Sequence, residues 1–487
     1  MAFSTTTQTT ISPVDQQPVC TREYPAPDAL RTALDAAALA AQRWANTPLP
    51  ARIAAADRFI AAFEAAALDG PVDQNALAHE LTAQMGRPVA QNAGEFRGFV
   101  GRARWLIAAA EDALKDAVVD DAHGDGFVLK RRIRRVPLGV VLIIAPWNYP
   151  YLTTVNALVP ALLAGNAVVL KPSPQTPLVG ERLAHLWAQA NPDLADVFTV
   201  QHLNPDLVKQ AIAHPAVGFI SFTGSVAAGR DVARAAAAYG EREGEIGLKS
   251  VGLELGGKDP AYVREDADLA FVVPELADAA FYNSGQSCCA VERIYVHAAL
   301  FDAFVARFAQ FVQSEYRVGG AGANLGPVIS TAAKQRIERQ VADAVAAGAT
   351  ALIPPELFPA AADAAGAYVA PQVLVGVRRG MGVLEEETFG PVVPIVKVAD
   401  DAEAVRAMND SRYGLTASIW TNDAGAFAAL EPQVEAGTVF MNRADYLDPA
   451  LAWVGVKDSG RGVSLSKLGF DQVTRPKSVH MKVLAGK

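Results

Sequence analysis

A cysteine, a glutamate and an asparagine stand in three short stretches whose neighbours suit chemistry. Cys288 lies in FYNSGQSCCAVER (Phe281–Arg293), with Cys289 directly after it. A single cysteine in an α/β chain is more often packing than a nucleophile. Here glycine and small polar residues allow the backbone to crowd a reactive sulfur, whose thiolate form is a strong nucleophile. Glu254, in LELGGK (Leu253–Lys258), sits between leucines and ahead of two glycines. That is an odd place for a merely solvated carboxylate, although a surface or salt-bridged glutamate is the alternative. Asn148, in APWNYP (Ala145–Pro150), follows an apolar run. Its amide can donate to an oxyanion or cap the next helix.

Such residues need a frame, and the pattern supplies one. From about Asp28 to Ala117 the chain is alanine-rich with helical spacing, as in Ala33–Trp44 and Ile53–Ala67. Phe127–Val136 reads as an extended, charged strand. Strands and helices then alternate: Gly139–Ala145, helix Tyr151–Ala164, Ala167–Leu170, helix Leu178–Gln189, Val197–Val200, helix Asp206–Ala213, Phe219–Phe222, helix Ser225–Ala238. That spacing predicts a parallel, doubly wound sheet, with Asn148 at the end of a strand where such sheets bind ligands. A second α/β region follows Leu253. It has helices near Leu269–Asn283, Ala299–Phe311 and Thr331–Ala347, and strands near Arg293–His297, Val392–Val398 and Thr438–Met441. Ser478–Val483 again alternates as a strand, and residues 1–20 read as polar and loosely ordered.

Composition narrows the classes. With 51% hydrophobic and 20% charged residues among 487, the chain can bury large cores and is not disordered. The 52 acidic residues outnumber the 43 basic ones, which disfavours a nucleic-acid binder. The local run Lys130–Arg135 is read as a solvated strand or a sheet edge protected by charge. Three cysteines are too few for a disulfide framework and point to a reducing compartment. MAFSTTTQTT has no secretory pattern, and Ala157–Leu170 is broken by Pro160, Gly165 and Asn166, so no membrane span is expected. The expected location is the cytoplasm.

Several motifs fall short. His79-Glu80 lacks a second histidine, since Ala83 stands four places on. No Cys/His cluster has ligand spacing, so no metal is expected. Gly244–Ser250 (GEIGLKS) and Gly320-Ala321-Gly322 miss the phosphate-loop and dinucleotide patterns, and no GxGxxG follows a strand.

APWNYP, LAGNAVVLKPS (Leu163–Ser173), FTGS (Phe222–Ser225), LELGGK, GQSCCA (Gly285–Ala290) and EETFGPV (Glu386–Val392) occur in the order and spacing of one family. From about Asp28 to Val483 the chain resembles the NAD(P)-dependent aldehyde dehydrogenase superfamily. The resemblance implies an oxidoreductase that converts an aldehyde to a carboxylic acid with NAD or NADP and water. Cys288 matches the nucleophile that forms a thiohemiacetal and then a thioester, and Asn148 the oxyanion donor. Glu254 matches the general base, a residue that CoA-acylating members lack. For the cofactor, the resemblance implies Trp147, Lys171, Ser173, Pro174, Gly224, Ser225, Leu255, Gly256, Glu387 and Phe389. A hydrolase using the same cysteine and base would have no use for Lys171, Glu387 and Phe389. Cys289 is read as a bystander or redox partner pointing elsewhere.

The chain also departs from the family. Pro174 replaces a common glutamate three residues after the ribose lysine, so NADP should be tolerated. The glycine-rich text usual near Gln201-His202 is missing. Met441–Lys457 (MNRADYLDPALAWVGVK) is unlike commoner versions and leaves the aldehyde open. Tyr149, Asn156, Arg443, Tyr446, Leu447 and Trp453 are candidate pocket walls, with a structural salt bridge the alternative for Arg443. The fold implied is a Rossmann-type cofactor domain (1–118 and 138–253), an α/β catalytic domain (254–470) and a small β oligomerisation flap (119–137 and 471–487). The flap implies a homodimer or homotetramer.

Overall fold

The computed structural model describes residues 6–240, 248–320 and 322–484. Residues 1–5 of the polar N-terminus, residues 244–247 of GEIGLKS, Ala321 and the last three residues of the expected flap lie outside the described residues.

Val140–Ile144 is buried at every position, as a central strand covered on both faces must be. It pairs in parallel with Ala167–Lys171 on one side and Val217–Thr223 on the other. Phe198–Val200 extends the sheet beyond the first, and Ser250–Glu254 beyond the second. The winding direction reverses between Val140–Ile144 and Val217–Thr223, which opens a crevice at their carboxyl ends. Helices Pro150–Ala164, Pro177–Ala190, Pro205–Ile212 and Val226–Ala237 make the returns. This is the expected Rossmann-type α/β sheet. Its sixth strand comes from far along the chain: Gly460–Arg461 pairs antiparallel with Leu253–Glu254.

A seven-stranded sheet forms the second α/β unit. Its order is Thr350–Ala351, Gln372–Val375, Val392–Val398, Val291–His297, Asp259–Val263, Thr416–Trp420 and Thr438–Met441. All pairs are parallel except the edge pair at Thr350–Ala351. Asp259–Val263 and Thr416–Trp420 are buried at every position and were not evident in the sequence. Asp259 and Pro260 in the first, and Thr416 and Ser418 in the second, interrupt the continuous apolar run that marks a buried strand. A three-stranded antiparallel sheet combines Ala117–Gly124, Phe127–Pro137 and Thr474–Leu484. The basic run lies in its middle strand, where Arg132 and Arg134 face Asp116 at 3.5 and 3.9 Å.

Two expectations need correction. The N-terminal region forms an antiparallel hairpin, Thr7–Ile11 with Pro18–Glu23. It is held because Gln8 and Thr10 both donate to the Pro174 carbonyl, at 2.7 and 2.8 Å, while Arg22 pairs with Glu181. The helix expected to reach Asn283 stops at Phe281. Asn283, Ser284 and Gly285 then take left-handed backbone (φ 53°, 58° and 70°), turning the chain into the cysteine loop. Among the described residues no helix is long and apolar enough to cross a membrane.

Candidate active site

The loop after that left-handed turn carries the two thiols. Cys288 is half-buried and Cys289 buried, and both line a cavity of about 650 Å³. Cys289 therefore does not point away as expected. Its Sγ donates to Asp445 Oδ1 at 3.0 Å, and Ser287 Oγ donates to the same oxygen at 2.7 Å. Contact with the Cys288 side chain, burial and Asp445 push the Cys289 thiol well above the ordinary range. It stays protonated and is a poor nucleophile. The Gly257 backbone packs so closely that a Cβ there would stand 2.6 Å from the Cys288 carbonyl.

Asn148 leaves the carboxyl end of Val140–Ile144 and is buried. Its Nδ2 donates to Gln286 O, two residues before Cys288, at 3.1 Å. That bond uses one amide hydrogen and leaves the other for a ligand. Behind it lies a network the sequence did not disclose. Arg87 and Glu95 form an ion pair with both side chains out of solvent. Arg87 donates to Asn148 O and, at 3.1 Å, to Asn283 Oδ1. Glu95 Oε1 accepts from Tyr151 N and Leu152 N at 2.8 and 3.1 Å, capping the helix that follows Asn148.

Glu254 ends the strand Ser250–Glu254 and lines the same cavity. Ser464 Oγ donates to its Oε1 and Thr223 Oγ1 to its Oε2, the latter at 3.3 Å. Burial raises its pKa above the usual carboxylate value, against the pull of those hydrogen bonds and of Arg102. Ser464 comes from the segment just after Gly460–Arg461, so the late sixth strand sets the carboxylate's orientation.

The crevice at the strand ends collects the expected cofactor residues. Lys171 is buried and no carboxylate pairs with it among the described residues; burial alone lowers its pKa to about 8. Ser173 is buried and Pro174 exposed beside it. Ser225 caps the helix Val226–Ala237, accepting from Ala228 N at 3.3 Å, and Gly224 N donates to Glu254 O at 3.0 Å. Leu255 is buried, with its N–H on Ser459 O at 3.0 Å. At Gly256 a Cβ would fall 2.3 Å from Glu387 Oε2, and Gly257 N donates to Glu387 Oε1 at 3.0 Å. Burial and Glu292 push Glu387 up to about 8. Phe389, at φ 51°, meets Trp147 edge-on at 5.4 Å.

That strained turn is held by residues the sequence did not single out. Glu292 accepts from Thr388 N and Phe389 N at 2.7 and 2.8 Å, and from buried Lys258 at 2.6 Å. Charged residues inside strand-like runs, as in CCAVERIYV, were the available signal. A lysine without a counter-ion, a helix N-terminus and a glycine-close carboxylate suit a dinucleotide's ribose and phosphate groups.

Tyr149, Asn156, Tyr446, Leu447 and Trp453 all line the cavity. Arg443 is not among the lining residues and stacks over the Tyr446 ring, 3.4 Å from its centroid. The lining arginines are Arg97 and Arg102, from the helix Val89–Leu114.

The chain is similar to known proteins over nearly its whole length. Residues 2–479 match the aldehyde dehydrogenase family. The chain is 34% identical over 413 residues to 3,6-anhydro-alpha-L-galactose dehydrogenase of Streptomyces coelicolor, covering 84% of this chain and 81% of that one. It is 33% identical over 420 residues to aldehyde dehydrogenase [NAD(P)+] 1 of Saccharomyces cerevisiae, covering 84% and 80%. The structure of NADP-dependent glyceraldehyde-3-phosphate dehydrogenase from Bacillus halodurans superposes with a TM-score of 0.88 at 27% identity, over 98% of this chain and 96% of that one. The chain belongs to the aldehyde dehydrogenase family, and with that membership goes NAD(P)-dependent oxidation of an aldehyde to a carboxylic acid.

Proposed function

We propose that the oxidation runs through a covalent thioester on Cys288, with Asn148 as oxyanion donor and Glu254 as base. One observation carries the reading: Cys288 and Glu254 open onto one cavity while the Asn148 amide is fixed to the backbone of the cysteine loop. As thiolate, Cys288 attacks the aldehyde carbon, forming a C–S bond and an alkoxide. The Asn148 amide and the Cys288 N–H stabilise that alkoxide. A bound NAD(P) supplies the hydride acceptor for this carbon. Glu254 then takes a proton from the water that attacks the thioester; the carboxylic acid leaves and the sulfur returns as thiolate. Burial keeps Glu254 basic enough to do this near neutral pH.

Lys171, Ser173, Ser225 and Glu387 would hold the cofactor's ribose and phosphate groups, with Gly224, Gly256 and Leu255 giving room. Trp147, Pro174 and Phe389 would flank it. The flap strands support a homodimer or homotetramer, because Val118, Met481, Val483 and Leu484 expose large apolar side chains along its edges. Mass spectrometry tests the mechanism: Glu254→Gln mixed with NAD(P) and aldehyde should carry an acyl adduct on the Cys288 peptide. A peptide that never gains mass would sink the thioester.

A further inference from the structure

Among the described residues, three arginines stand out by depth of burial, and two are fully engaged. Arg87 pairs with Glu95. Arg293 spends its guanidinium on Lys258 O, Tyr295 Oη, Ala407 O and Met408 O. Arg102 differs. It is 6% exposed, yet its hydrogen bonds among the described residues run from one nitrogen, Nη1, to Leu152 O at 2.8 Å and Asn156 Oδ1 at 3.1 Å. No carboxylate forms an ion pair with it among the described residues. Asn156, itself buried, has its oxygen committed to Arg102, and its Nδ2 has no acceptor. Both residues line the cavity that holds Cys288 and Glu254.

An unpaired buried cation beside an orphaned amide donor is costly unless something supplies acceptors. Burial drives the Arg102 pKa down to about 10, and Glu254 is the charge that most opposes this. Glu95 also acts on Arg102 but is committed to Arg87. The cavity's other acids, Glu275 and Asp278 on the helix Leu269–Phe281 and the engaged Asp445, are not among its main partners. Resting on the aldehyde-oxidising reading above, we propose that Arg102 and Asn156 form a carboxylate-binding subsite, so that the substrate is an aldehyde carrying a carboxylate on its chain. The planar guanidinium offers Nε and Nη2 as a fork, the geometry a carboxylate accepts, and the Asn156 amide adds a further donor.

The test compares a five-carbon aldehyde ending in carboxylate with its methyl ester, its terminal-hydroxyl analogue and plain pentanal. The wild-type enzyme should favour the carboxylate, and Arg102→Met should lower that preference by about 10–100-fold, with Arg102→Lys between. A preference that is absent, or that survives Arg102→Met unchanged, overturns the proposal. So does an equal loss on all four substrates, which would make Arg102 a support of Glu254 or Cys288. Calorimetry with glutarate gives a reading independent of turnover. Cys288→Ala should bind it and Cys288→Ala/Arg102→Met should not; equal binding by both overturns the subsite. If no aldehyde is oxidised at all, the aldehyde-oxidising reading fails while the glutarate result still decides the subsite.

Discussion

The crevice side and the cavity side of Cys288 are built by different means. On the crevice side, most residues stand in the short turns just after the strands Val140–Ile144, Ala167–Lys171, Val217–Thr223 and Ser250–Glu254. Gly256, Gly257 and Glu387 meet through backbone approach, and Ser225 caps a helix directly after its strand. On the cavity side, the walls come from the middle of the long helix Val89–Leu114 and from the segment around Asp445–Trp453. There, function depends on which face of a helix happens to turn inward.

Four experiments would break or sharpen that contrast. The largest effect belongs to the sulfur between the two sides. Cys288→Ala should lose turnover by ~10⁴-fold or more while still quenching or shifting with NAD(P). Cys289→Ser should keep most activity, since Asp445 already holds that thiol protonated. Comparable loss in both variants would put the nucleophile on the wrong sulfur.

Next comes Glu254→Gln, with a steady-state loss of ~10²–10⁴-fold and a retained burst of reduced cofactor in stopped flow. The wild-type pH profile carries a sign. Protonating Glu254 removes the base, so activity falls as pH drops, and the raised pKa places that fall above the ordinary glutamate range. A limb at or below pH 4.5 would contradict the burial argument.

Glu292→Gln acts purely on the crevice side. It leaves buried Lys258 without its counter-charge and weakens the hold on Thr388 and Phe389. A loss of ~3–5 kcal/mol in unfolding free energy and a higher KM for NAD(P) are expected, with the ranking of aldehydes unchanged. A reordered aldehyde panel would mean the two sides are not separable.

The smallest effect concerns cofactor choice. Pro174→Glu should shift kcat/KM towards NAD over NADP by about tenfold, because a carboxylate repels a 2′-phosphate. The hairpin should survive, since Gln8 and Thr10 bind the Pro174 carbonyl rather than its ring. In the wild-type enzyme any NADP advantage should shrink as pH rises through about 8, where Lys171 loses its proton. A pH-independent ratio would remove Lys171 from phosphate recognition.

The same contrast explains what the sequence could disclose. Cys288, Glu254, Asn148 and Glu387 each lie in a short motif with distinctive neighbours, so a few adjacent letters single them out. Arg102 sits in VGRARW, which reads as ordinary helix, and only packing reveals that this arginine faces inward while Arg104 faces solvent. Arg443 drew notice because its segment departs from the family, yet its guanidinium lies on Tyr446. Arg87, Glu292 and Ser464 act on residues distant in sequence, and no local pattern carries such a relation. The N-terminal hairpin was hidden for the same reason, its anchor being Pro174.

The sixth strand of the first sheet also sets a timetable for synthesis. Glu254 receives one of its two hydroxyl contacts from Ser464, 210 residues later. A ribosome adding about 5–20 residues per second needs on the order of 10–40 s to cover that distance. During this interval the nascent chain can complete five strands of the cofactor sheet, with Glu254 holding its Thr223 contact but not the one from Ser464. A product truncated before Gly460 would therefore keep five strands of the cofactor sheet while lacking both its sixth strand and the Ser464 contact on Glu254.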